Sequence, residues 1–415
     1  MQSSDMMAKQ GVISANSLEY NLKPDLSVTV SRTDTLQFFQ SAEYASGSTM
    51  VNILNSGSAY INGRTSVLIL DVDATTEFPF GFGLNGSACN LIERLTIMSR
   101  SGVVLERIDS SNVLSSIKMF YEHDKSWNDT VGRLAGGGGG NKVDVLSSGV
   151  VTRFIIPMSL ISGLFDYEYL LPSALMSGLR IEIVLASAIK ALSGNAAAQY
   201  RIKNCSIKLD SYQITDSISR QLNEAAASSG LEVVFRTYFT TVGTRSSANL
   251  NFESRRACSR ALAAVYKEQP PRLAVAATDP MASSTIALNY GPTAVQFRAG
   301  SLYFPNSVIS GSGNSAPLVA SPEIQAMAFT AFNKYGVDPV SSNVDATVYS
   351  TNSVIGTTLE RSTALELSGI PLSNSRTLAL NATFADPGAI SMNSYLFLEY
   401  ASLARVFISN CTVEV

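Results

Sequence analysis

Residues 87–120, SACNLIERLTIMSRSGVVLERIDSSNVLSSIKMF, are the starting point for predicting the architecture. Leu95 and Ile97 alternate with polar neighbours, so this part predicts a strand with one apolar face. Residues 99–102 (Ser-Arg-Ser-Gly) then predict a chain reversal, because Gly102 can adopt a positive φ at little steric cost. A second extended run follows over 103–108.

The same stretch continues into a short helix. Residues 109–111 (Asp-Ser-Ser) are expected to supply capping side chains at its start. Apolar residues then recur at helical spacing and predict one buried stripe: Val113, Leu114, Ile117, Phe120 and Tyr121. The unit is therefore a hairpin followed by a helix, in a chain whose other segments mostly predict strands. The charged pairs Glu93-Arg94 and Glu106-Arg107 are expected at sheet edges or between subunits.

Length and composition narrow the class of protein. The 415 residues exceed one ordinary core and predict two domains of roughly 200 residues each. Only 15% of the residues are charged, against a usual value of about 25%. Such a surface suits a protein whose faces are covered by neighbouring subunits, but it is equally compatible with a soluble secreted β-protein.

Charge and cysteine usage exclude several functions. The net charge is −3, and residues 1–33 lack the dense Lys/Arg arm that would neutralise nucleic acid. No secretory signal is visible, and the longest strongly apolar stretch, 154–165, is too short to span a bilayer. Single cysteines spread along the chain predict buried, reduced thiols: Cys89, Cys205, Cys258 and Cys411. These features predict a soluble intracellular protein.

The chain divides into two similar parts. We expect an N-terminal arm over 1–45, a first domain over 46–220, a linker over 221–230 and a second domain over 231–415. The first hairpin turn (Arg-Ser-Gly, 100–102) matches a second one at 298–300 (Arg-Ala-Gly), 198 residues later. Arginines in alternating strands, Arg180 and Arg376, lie 196 residues apart. A helix over 322–335 follows the second hairpin, as one follows the first, so the pattern indicates a duplicated domain.

Many strands and few helices predict antiparallel β-sandwiches built from Greek keys or jelly rolls. The expected fold class is therefore all-β, with two tandem jelly-roll β-sandwiches and short flanking helices. Residues 122–142, which include the pentaglycine 136–140, predict a long exposed loop.

Three runs of sequence resemble the major capsid proteins of double jelly-roll DNA viruses, especially those of polinton-like viruses and virophages. The first run is the hairpin in 87–109. The second is 154–185, FIIPMSLISGLFDYEYLLPSALMSGLRIEIVL, and the third is 295–305, VQFRAGSLYFP, with the helix after it. The resemblance covers residues 50–215 well and 230–415 less closely.

This resemblance implies a viral major capsid protein whose homotrimers form pseudo-hexagonal capsomers of an icosahedral shell. Its partners would be further copies of itself, neighbouring capsomers, and penton and minor capsid or cement proteins, with an internal membrane left open as a contact. It implies no direct sequence-specific binding of nucleic acid. The protein would be made in the cytoplasm or nucleus of the host cell and reside in the virion capsid.

Two other functions fit the residues. One is a minor or penton capsid protein, and the other is a two-domain carbohydrate-binding or glycan-cleaving β-sandwich protein. The second would use a carboxylate pair such as Glu360 and Glu366, but Trp127 is the sole tryptophan and gives no sign of an aromatic cleft.

The sequence predicts no catalytic residue, no cofactor-binding residue and no metal ligand, and therefore no enzyme. The pentaglycine lacks the GxxxxGK[ST] pattern of a phosphate-binding loop. His123 is the only histidine, so catalytic triads and most metal sites lack their parts, and we expect it in an exposed loop. Asp71 and Asp73 lack the further oxygen ligands that a cation site needs.

Overall fold

The structure is a computed structural model of the full chain. It describes residues 29–75, 80–82, 86–137, 149–194, 199–245, 249–254, 258–267, 292–310, 322–332, 354–360, 369–370, 377–384, 392–407 and 411–414.

Strands account for most of the described elements. In the first part of the chain they are β1 (Thr29–Phe38), β2 (Glu43–Ala45), β3 (Thr49–Ile53), β4 (Tyr60–Ala74), β5 (Phe80–Gly81), β6 (Ile92–Met98), β7 (Val104–Asp109), β8 (Val151–Pro157), β9 (Arg180–Leu185), β10 (Ser193–Gly194) and β11 (Tyr200–Ile214). In the second part they are β12 (Leu231–Arg245), β13 (Asn249–Ser254), β14 (Arg260–Lys267), β15 (Pro292–Ala299), β16 (Leu302–Ser310), β17 (Ile355–Thr358), β18 (Leu378–Phe384), β19 (Met392–Val406) and β20 (Cys411–Glu414).

Helices are short and lie between strands. They are α1 (Ser111–Tyr121), α2 (Lys125–Trp127), α3 (Met158–Ile161), α4 (Ser173–Met176), α5 (Ala188–Ala191), α6 (Asp216–Ser228) and α7 (Pro322–Ala331). A 3-10 turn covers Ala88–Leu91 and a π turn covers Asn128–Gly132. None of these described helices is long and apolar enough to cross a membrane.

The strands of the first half form two facing antiparallel sheets. One has the order β1-β11-β4-β8, with β2 also paired to β11, and the other has the order β3-β9-β6-β7. The small strands β5 and β10 pair with each other. Between the two main sheets lies an apolar core built from alternate residues such as Leu68, Leu70, Ile181 and Ile183.

The second half repeats this topology strand for strand. Its sheets have the orders β12-β19-β14-β17, with β20 beside β19, and β13-β18-β15-β16. In each half the eight shared strands, numbered along the chain, are arranged 1-8-3-6 and 2-7-4-5, which is the jelly-roll arrangement. Every strand pairing among the described residues joins strands of the same half. The all-β prediction and the predicted duplication are confirmed.

Both predicted hairpins are present. The turn between β6 and β7 has Gly102 at φ 83°, and the turn between β15 and β16 has Gly300 at φ 64°. Helix α1 follows β7 and buries Val113, Leu114 and Ile117, as its stripe predicts. The predicted cap is wrong, because the N-cap residue Ser110 is left-handed at φ 56° and its side chain makes no capping hydrogen bond.

The second helix also begins where the sequence predicts, at Pro322. Ile324, Ala328, Ala331 and Phe332 are buried along one side, while the predicted end of the stripe at residues 333–336 lies outside the described residues. Residues 257–265, whose pattern fits a strand or a helix, belong to strand β14 from Arg260 onward.

The N-terminal arm predicted over 1–45 is wrong for its last part. Residues 29–38 are the edge strand β1, paired along its length with β11, and residues 43–45 are β2 on the same neighbour. The outer face of β1 is exposed, so it lacks the apolar alternation that marks a half-buried strand. Residues 1–28 lie outside the described residues.

The linker predicted over 221–230 is largely helical. Helix α6 covers Asp216–Ser228, and Gly230 follows it with φ 79°. The run Gln-Leu-Asn-Glu-Ala-Ala-Ala at 221–227 contains strong helix formers, and Ile218 and Leu222 lie half-buried on one side. A small, polar composition was therefore a poor guide, because alanine favours helix as readily as it occurs in loops.

The exposed loop predicted from 122 onward is also wrong for residues 122–137. Asp124 accepts a hydrogen bond from the Trp127 N–H at 2.7 Å and starts α2, and Asn128 Nδ2 donates to the Met119 carbonyl at 2.9 Å. Ala135 is fully buried, and Gly136 contacts Phe154 closely. Residues 138–148, with the rest of the pentaglycine, lie outside the described residues.

Candidate functional site

The two halves meet along a junction between β7 of the first half and β12 of the second. Thr237 Oγ1 donates to Glu106 Oε1 at 2.6 Å, and Thr240 Oγ1 donates to the Asp109 carbonyl at 2.7 Å. From the first hydrogen bond to the second, the residue number rises by three on β7 and also by three on β12. The two strands therefore run in the same direction. The halves therefore stand side by side with the same polarity.

The backbones approach so closely at Gly163 that no side chain fits there. A Cβ atom on Gly163 would lie 1.6 Å from the carbonyl oxygen of Arg236 in the second half. Only glycine allows this contact between the loop after α3 and strand β12.

Glu106 is a buried carboxylate at this junction, with 1% of its surface exposed. It accepts hydrogen bonds from the Ser162 hydroxyl, the Gly163 N–H at 2.8 Å and the Thr237 hydroxyl at 2.6 Å. Burial raises the pKa of Glu106, and these donors oppose part of that shift. The residue thereby connects two segments of the first half with a strand of the second.

Arg260 is the centre of a second buried polar contact across the junction. Its guanidinium lies 2.6 Å from Glu122 at the end of α1 and 2.6 Å from Glu399 on β19, and it also bonds the Tyr238 hydroxyl. The ring of Phe332 lies 5.2 Å from the guanidinium carbon. Burial is the largest single influence and raises the pKa of Glu122, but the nearby cations, Arg260 and Lys118 foremost, together outweigh it, so this pKa falls below its usual value.

A polar cavity of about 380 Å³ opens beside this cluster. Its charged lining is internally paired: Lys118 lies 3.9 Å from Glu122, and Arg236 lies 3.4 Å from Glu360. Of the described ion pairs around this cavity, Arg260–Glu122 is the one that joins the two halves, and separating the halves would leave both of its charges without this partner.

Apolar packing completes the junction. One cluster combines residues of α1 and β7 with residues of the second half: Ile108, Val113, Leu114, Ile117, Tyr121, Tyr238, Leu262, Ala264, Ala328, Ala331, Phe332, Val354 and Phe397. Tyr121 stacks on Phe332 at 4.8 Å between ring centroids. The outward-facing side of the β12-β19-β14-β17 sheet is thus covered by helices from both halves.

The corresponding outer side of the first sheet instead carries ion pairs whose carboxylates are buried and whose arginines are exposed. Arg32 bonds Asp210 at 2.7 Å, Arg153 bonds Asp71 at 2.7 Å, and Lys203 bonds Asp73 at 2.7 Å. Hydrogen bonds from these cations lower the pKa of Asp71 and of Asp73. Asp71 and Asp73 therefore have cationic partners, and the described residues contain no cluster of three or more potential metal ligands.

More apolar side chains are exposed on strands β1 and β16 than on their counterparts β12 and β7, where Val242 and Val104 are the only large apolar side chains exposed among the described residues. On β1, Val30 and Phe38 are 68% and 64% exposed. On β16, Leu302, Tyr303 and Val308 are each at least 42% exposed. Strand β1 is the counterpart of β12, and β16 is the counterpart of β7, so the two strands that meet inside the chain have exposed equivalents.

The remaining residues singled out by sequence form no common site. His123, expected in an exposed loop, is half-buried and stacks on Trp127 with centroids 3.6 Å apart. Glu360 pairs with Arg236, and Glu366 lies outside the described residues. All four cysteines are buried and free, as predicted, and burial raises the pKa of Cys89 to about 11.

Sequence reasoning missed the junction roles of Glu106 and Arg260. The available signal was a charge within a largely apolar run, at Glu106 beside Arg107 in 103–108 and at Arg260 in 257–265. A charge in such a position is buried with a partner or faces solvent, and the sequence does not identify a partner more than 100 residues away.

The structure resembles solved viral capsid proteins over almost its whole length. It matches the PBCV-1 virus capsid with a TM-score of 0.65 at 10% identity, covering 95% of this chain and 99% of that chain. It matches the Faustovirus major capsid protein with a TM-score of 0.60 at 8% identity, covering 97% and 96% of the two chains.

The mavirus major capsid protein matches with a TM-score of 0.54 at 11% identity, covering 96% of this chain and 92% of that chain. No family model matches the sequence, and the comparison with curated proteins found no match. The chain therefore has the double jelly-roll fold of these capsid proteins, as the sequence resemblance implies.

Proposed function

We propose that this protein is a viral major capsid protein that assembles as homotrimeric, pseudo-hexagonal capsomers of an icosahedral shell. The observation that supports this most strongly is the pair of exposed strands, β1 and β16, whose counterparts β12 and β7 form the junction inside the chain. A second copy can place its β16 beside β1 as β7 lies beside β12.

Repetition of one contact favours a closed ring. The contact joins different surfaces of the two copies, so it is heterologous. Repeated heterologous contacts form a closed ring when a whole number of copies completes one full rotation. Three chains supply six jelly rolls of the same polarity, and six similar units around an axis give a hexagonal outline. A stable contact of this kind buries roughly 1,600 Å².

We also propose which proteins it assembles with and where it resides. The shell would be completed by penton and minor capsid or cement proteins, and the protein would reside in the virion capsid after synthesis in the host cytoplasm or nucleus. We propose no enzymatic activity and no sequence-specific nucleic-acid binding. We also propose that the two halves are separate domains, with residues 29–214 in the first and 231–414 in the second.

Light scattering after size-exclusion chromatography, with negative-stain imaging, tests this function. We expect a mass of three chains and hexagonal or triangular particles. Replacing Tyr303 with Ser on β16, or Phe38 with Ser on β1, should each shift the protein toward monomers. Leu134→Ser, at an apolar residue that is 53% exposed but on neither strand, is the control and should remain trimeric. A monomer that binds glycans would contradict the proposal and support the carbohydrate-binding alternative.

A further inference from the structure

The two hairpins carry arginines that lie 198 residues apart in the sequence, and the surroundings of these arginines differ. Arg298, in strand β15, donates through Nε to the Gly300 carbonyl at 2.9 Å, and its guanidinium carbon lies 5.9 Å from the centre of the Tyr303 ring. Arg100, in the turn between β6 and β7, is exposed and takes part in no ion pair or side-chain hydrogen bond found among the described residues. Its guanidinium is therefore available to a ligand.

Gly178 positions the side chain of Arg100. This glycine has φ 88°, and a Cβ atom built on it would lie 2.9 Å from Arg100 Cγ and 3.1 Å from Arg100 Cβ and Cδ. The stem of Arg100 therefore rests directly on the backbone that follows helix α4, at a position that favours glycine. A side chain that is already held in place loses less conformational entropy when it binds a ligand.

Arg100 borders an open cavity of about 370 Å³ at the point where three parts of the chain meet. The hairpin turn and α4 come from the first half, Asn223 belongs to α6, and Phe407 and Cys411 come from the second half. Hydroxyl and amide groups supply the other polar side chains of the lining: Ser99, Ser101, Ser173, Ser177 and Asn223. Among the described residues that line the cavity, Arg100 is the only charged one, and none is a carboxylate.

The serines of the turn add a hydrogen-bond donor beside Arg100. The Val103 N–H donates to Ser99 Oγ at 3.1 Å, so Ser99 keeps its own hydroxyl hydrogen as a donor. Ser101 Oγ lies 2.9 Å from Ser99 Oγ. A hydrogen bond from Ser99 to Ser101 leaves the Ser101 hydrogen for the cavity, and hydrogen bonds in such a chain strengthen one another.

These groups favour a small anion with several acceptor oxygens. A guanidinium presents a planar fork of N–H donors that matches two oxygens of a phosphate group, and such charge-assisted hydrogen bonds are stronger than neutral ones. Binding of nucleic acid draws instead on many cations, because its affinity grows with the number of phosphates neutralised. One arginine in a cavity therefore suits a single phosphate-type group.

We propose that this cavity binds a small tetrahedral oxyanion of the phosphate class, with the guanidinium of Arg100 and the hydroxyl of Ser101 as donors. Because the lining includes both jelly rolls and α6, a bound anion stabilises their mutual arrangement by mass action. The inference goes beyond the proposed capsid function and does not rest on it, since all the lining residues belong to one chain.

Isothermal titration calorimetry of the purified full chain with sodium phosphate tests the inference. Sodium chloride keeps the ionic strength constant, so that general screening is the same in every titration. We expect saturable binding by the wild type and binding at least about tenfold weaker by Arg100→Gln, because this change removes charge-assisted hydrogen bonds. The matched control is Arg298→Gln, which removes the same charge from the other hairpin and should bind phosphate like the wild type.

A second variant separates binding from folding. Arg100→Lys keeps the charge but loses the planar fork, so its affinity for phosphate should lie between those of the wild type and Arg100→Gln. Thermal unfolding without phosphate checks that each variant is folded. Phosphate should then raise the melting temperature of the wild type and of Arg298→Gln, but not that of Arg100→Gln.

Each outcome decides the question. Weakened binding in Arg100→Gln with full binding in Arg298→Gln supports the inference. Absence of saturable binding by the wild type, equal loss in both glutamine variants, or full binding by Arg100→Gln overturns it. If Arg100→Gln is unfolded without phosphate, weakened binding by Arg100→Lys supports the inference and unchanged binding overturns it. A protein that binds phosphate but forms no trimer would contradict the capsid function and leave this inference standing.

Discussion

The hairpin strands β7 and β16 occupy the same position in two jelly rolls of the same topology, but their surroundings differ. On β7, Leu105 and Glu106 are buried, and the strand lies against β12. On β16, Tyr303, which lies 198 residues after Leu105, is 42% exposed. Both strands have the same position in their jelly roll. The difference in side-chain exposure therefore comes from strand β12, which covers β7, whereas no described strand covers β16 in the same way.

The outer sides of the two corresponding sheets differ in the same way. That of the second half is covered and contains the Arg260 cluster, whereas that of the first half carries ion pairs such as Arg32–Asp210, in which the arginine side chain is 59% exposed. A surface that is always covered can hold a closed polar network. A surface that must meet a separate copy has to remain soluble before it is covered, and charged pairs around a few apolar residues serve that purpose.

The largest expected effect comes from Arg260→Ala. This change leaves Glu122 and Glu399 without their cation inside the junction, so the free energy of unfolding should fall by about 3–5 kcal/mol. Urea denaturation of the variant and the wild type measures it. A loss below about 1 kcal/mol would show that the junction cluster is hydrated and that the covered sheet resembles the exposed one more than the structure indicates.

A pair of leucine variants compares a buried position of β7 with an exposed position of β16. Leu105→Ala on β7 removes a buried side chain, and the free energy of unfolding should fall by about 2–5 kcal/mol. Leu302→Ala on β16 removes a side chain that is 50% exposed, so the unfolding of the monomer should change by less than about 0.5 kcal/mol. Equal losses in dilute, monomeric protein would remove the contrast between the strands.

The pH dependence of stability should have opposite signs at the two surfaces. Glu106 has a raised pKa in the folded protein. Its contribution to the free energy of unfolding is therefore fully present below its unfolded pKa of about 4.3 and is lost as the pH rises through its folded pKa. Asp71 accepts hydrogen bonds from Arg153 and has a lowered pKa. Its contribution to the free energy of unfolding is therefore fully present above its unfolded pKa of about 3.9 and is lost as the pH falls through its folded pKa.

Two isosteric variants separate the pH-dependent contributions of Glu106 and Asp71 to stability. Relative to wild type, Glu106→Gln should gain stability as the pH rises from about 4 to about 7, whereas Asp71→Asn should gain relative stability as the pH falls below about 4. Thermal unfolding across this pH range measures both. The same sign in both variants would contradict the assignment of Glu106 as a buried carboxylate.

The smallest effect is expected at Arg107→Ala. Its partner Asp109 is 41% exposed at the side chain and Arg107 is 55% exposed, so the pair is worth at most about 1 kcal/mol. Arg107 adjoins Glu106 in sequence, which makes this variant a control for the strand itself. A loss as large as that of Arg260→Ala would indicate that β7 is sensitive at every position.

Local patterns predicted the parts of the fold whose determinants are close in sequence. Alternation around Leu95 and Ile97 predicted strand β6, glycine at 102 predicted the turn, and helical spacing predicted α1. Helix α6 was missed because alanine-rich polar sequence fits loops and helices alike, and β1 was missed because an edge strand with an exposed outer face lacks apolar alternation.

The junction could not be predicted from local patterns. Glu106 finds its hydrogen-bond donors at Ser162 and Thr237, and Arg260 finds Glu122 and Glu399. These partners lie far apart along the chain. Ser162 and Glu399 belong to the same half as the residue they bond, whereas Thr237 and Glu122 reach their partners only because the two jelly rolls pack side by side. A charge in an apolar run indicates a buried polar contact, but its identity is a property of the tertiary structure.

Helix α6 connects β11 to β12, and this covalent connection affects how strong the contacts between jelly rolls have to be. Its 13 residues span about 20 Å, so the second jelly roll never diffuses far from the first. A tether of this length raises the effective concentration of one unit around the other to the millimolar range. The internal junction can therefore hold a desolvated carboxylate such as Glu106, while the contact between separate chains, which has no tether, depends on its own affinity and on the many neighbours that a shell provides.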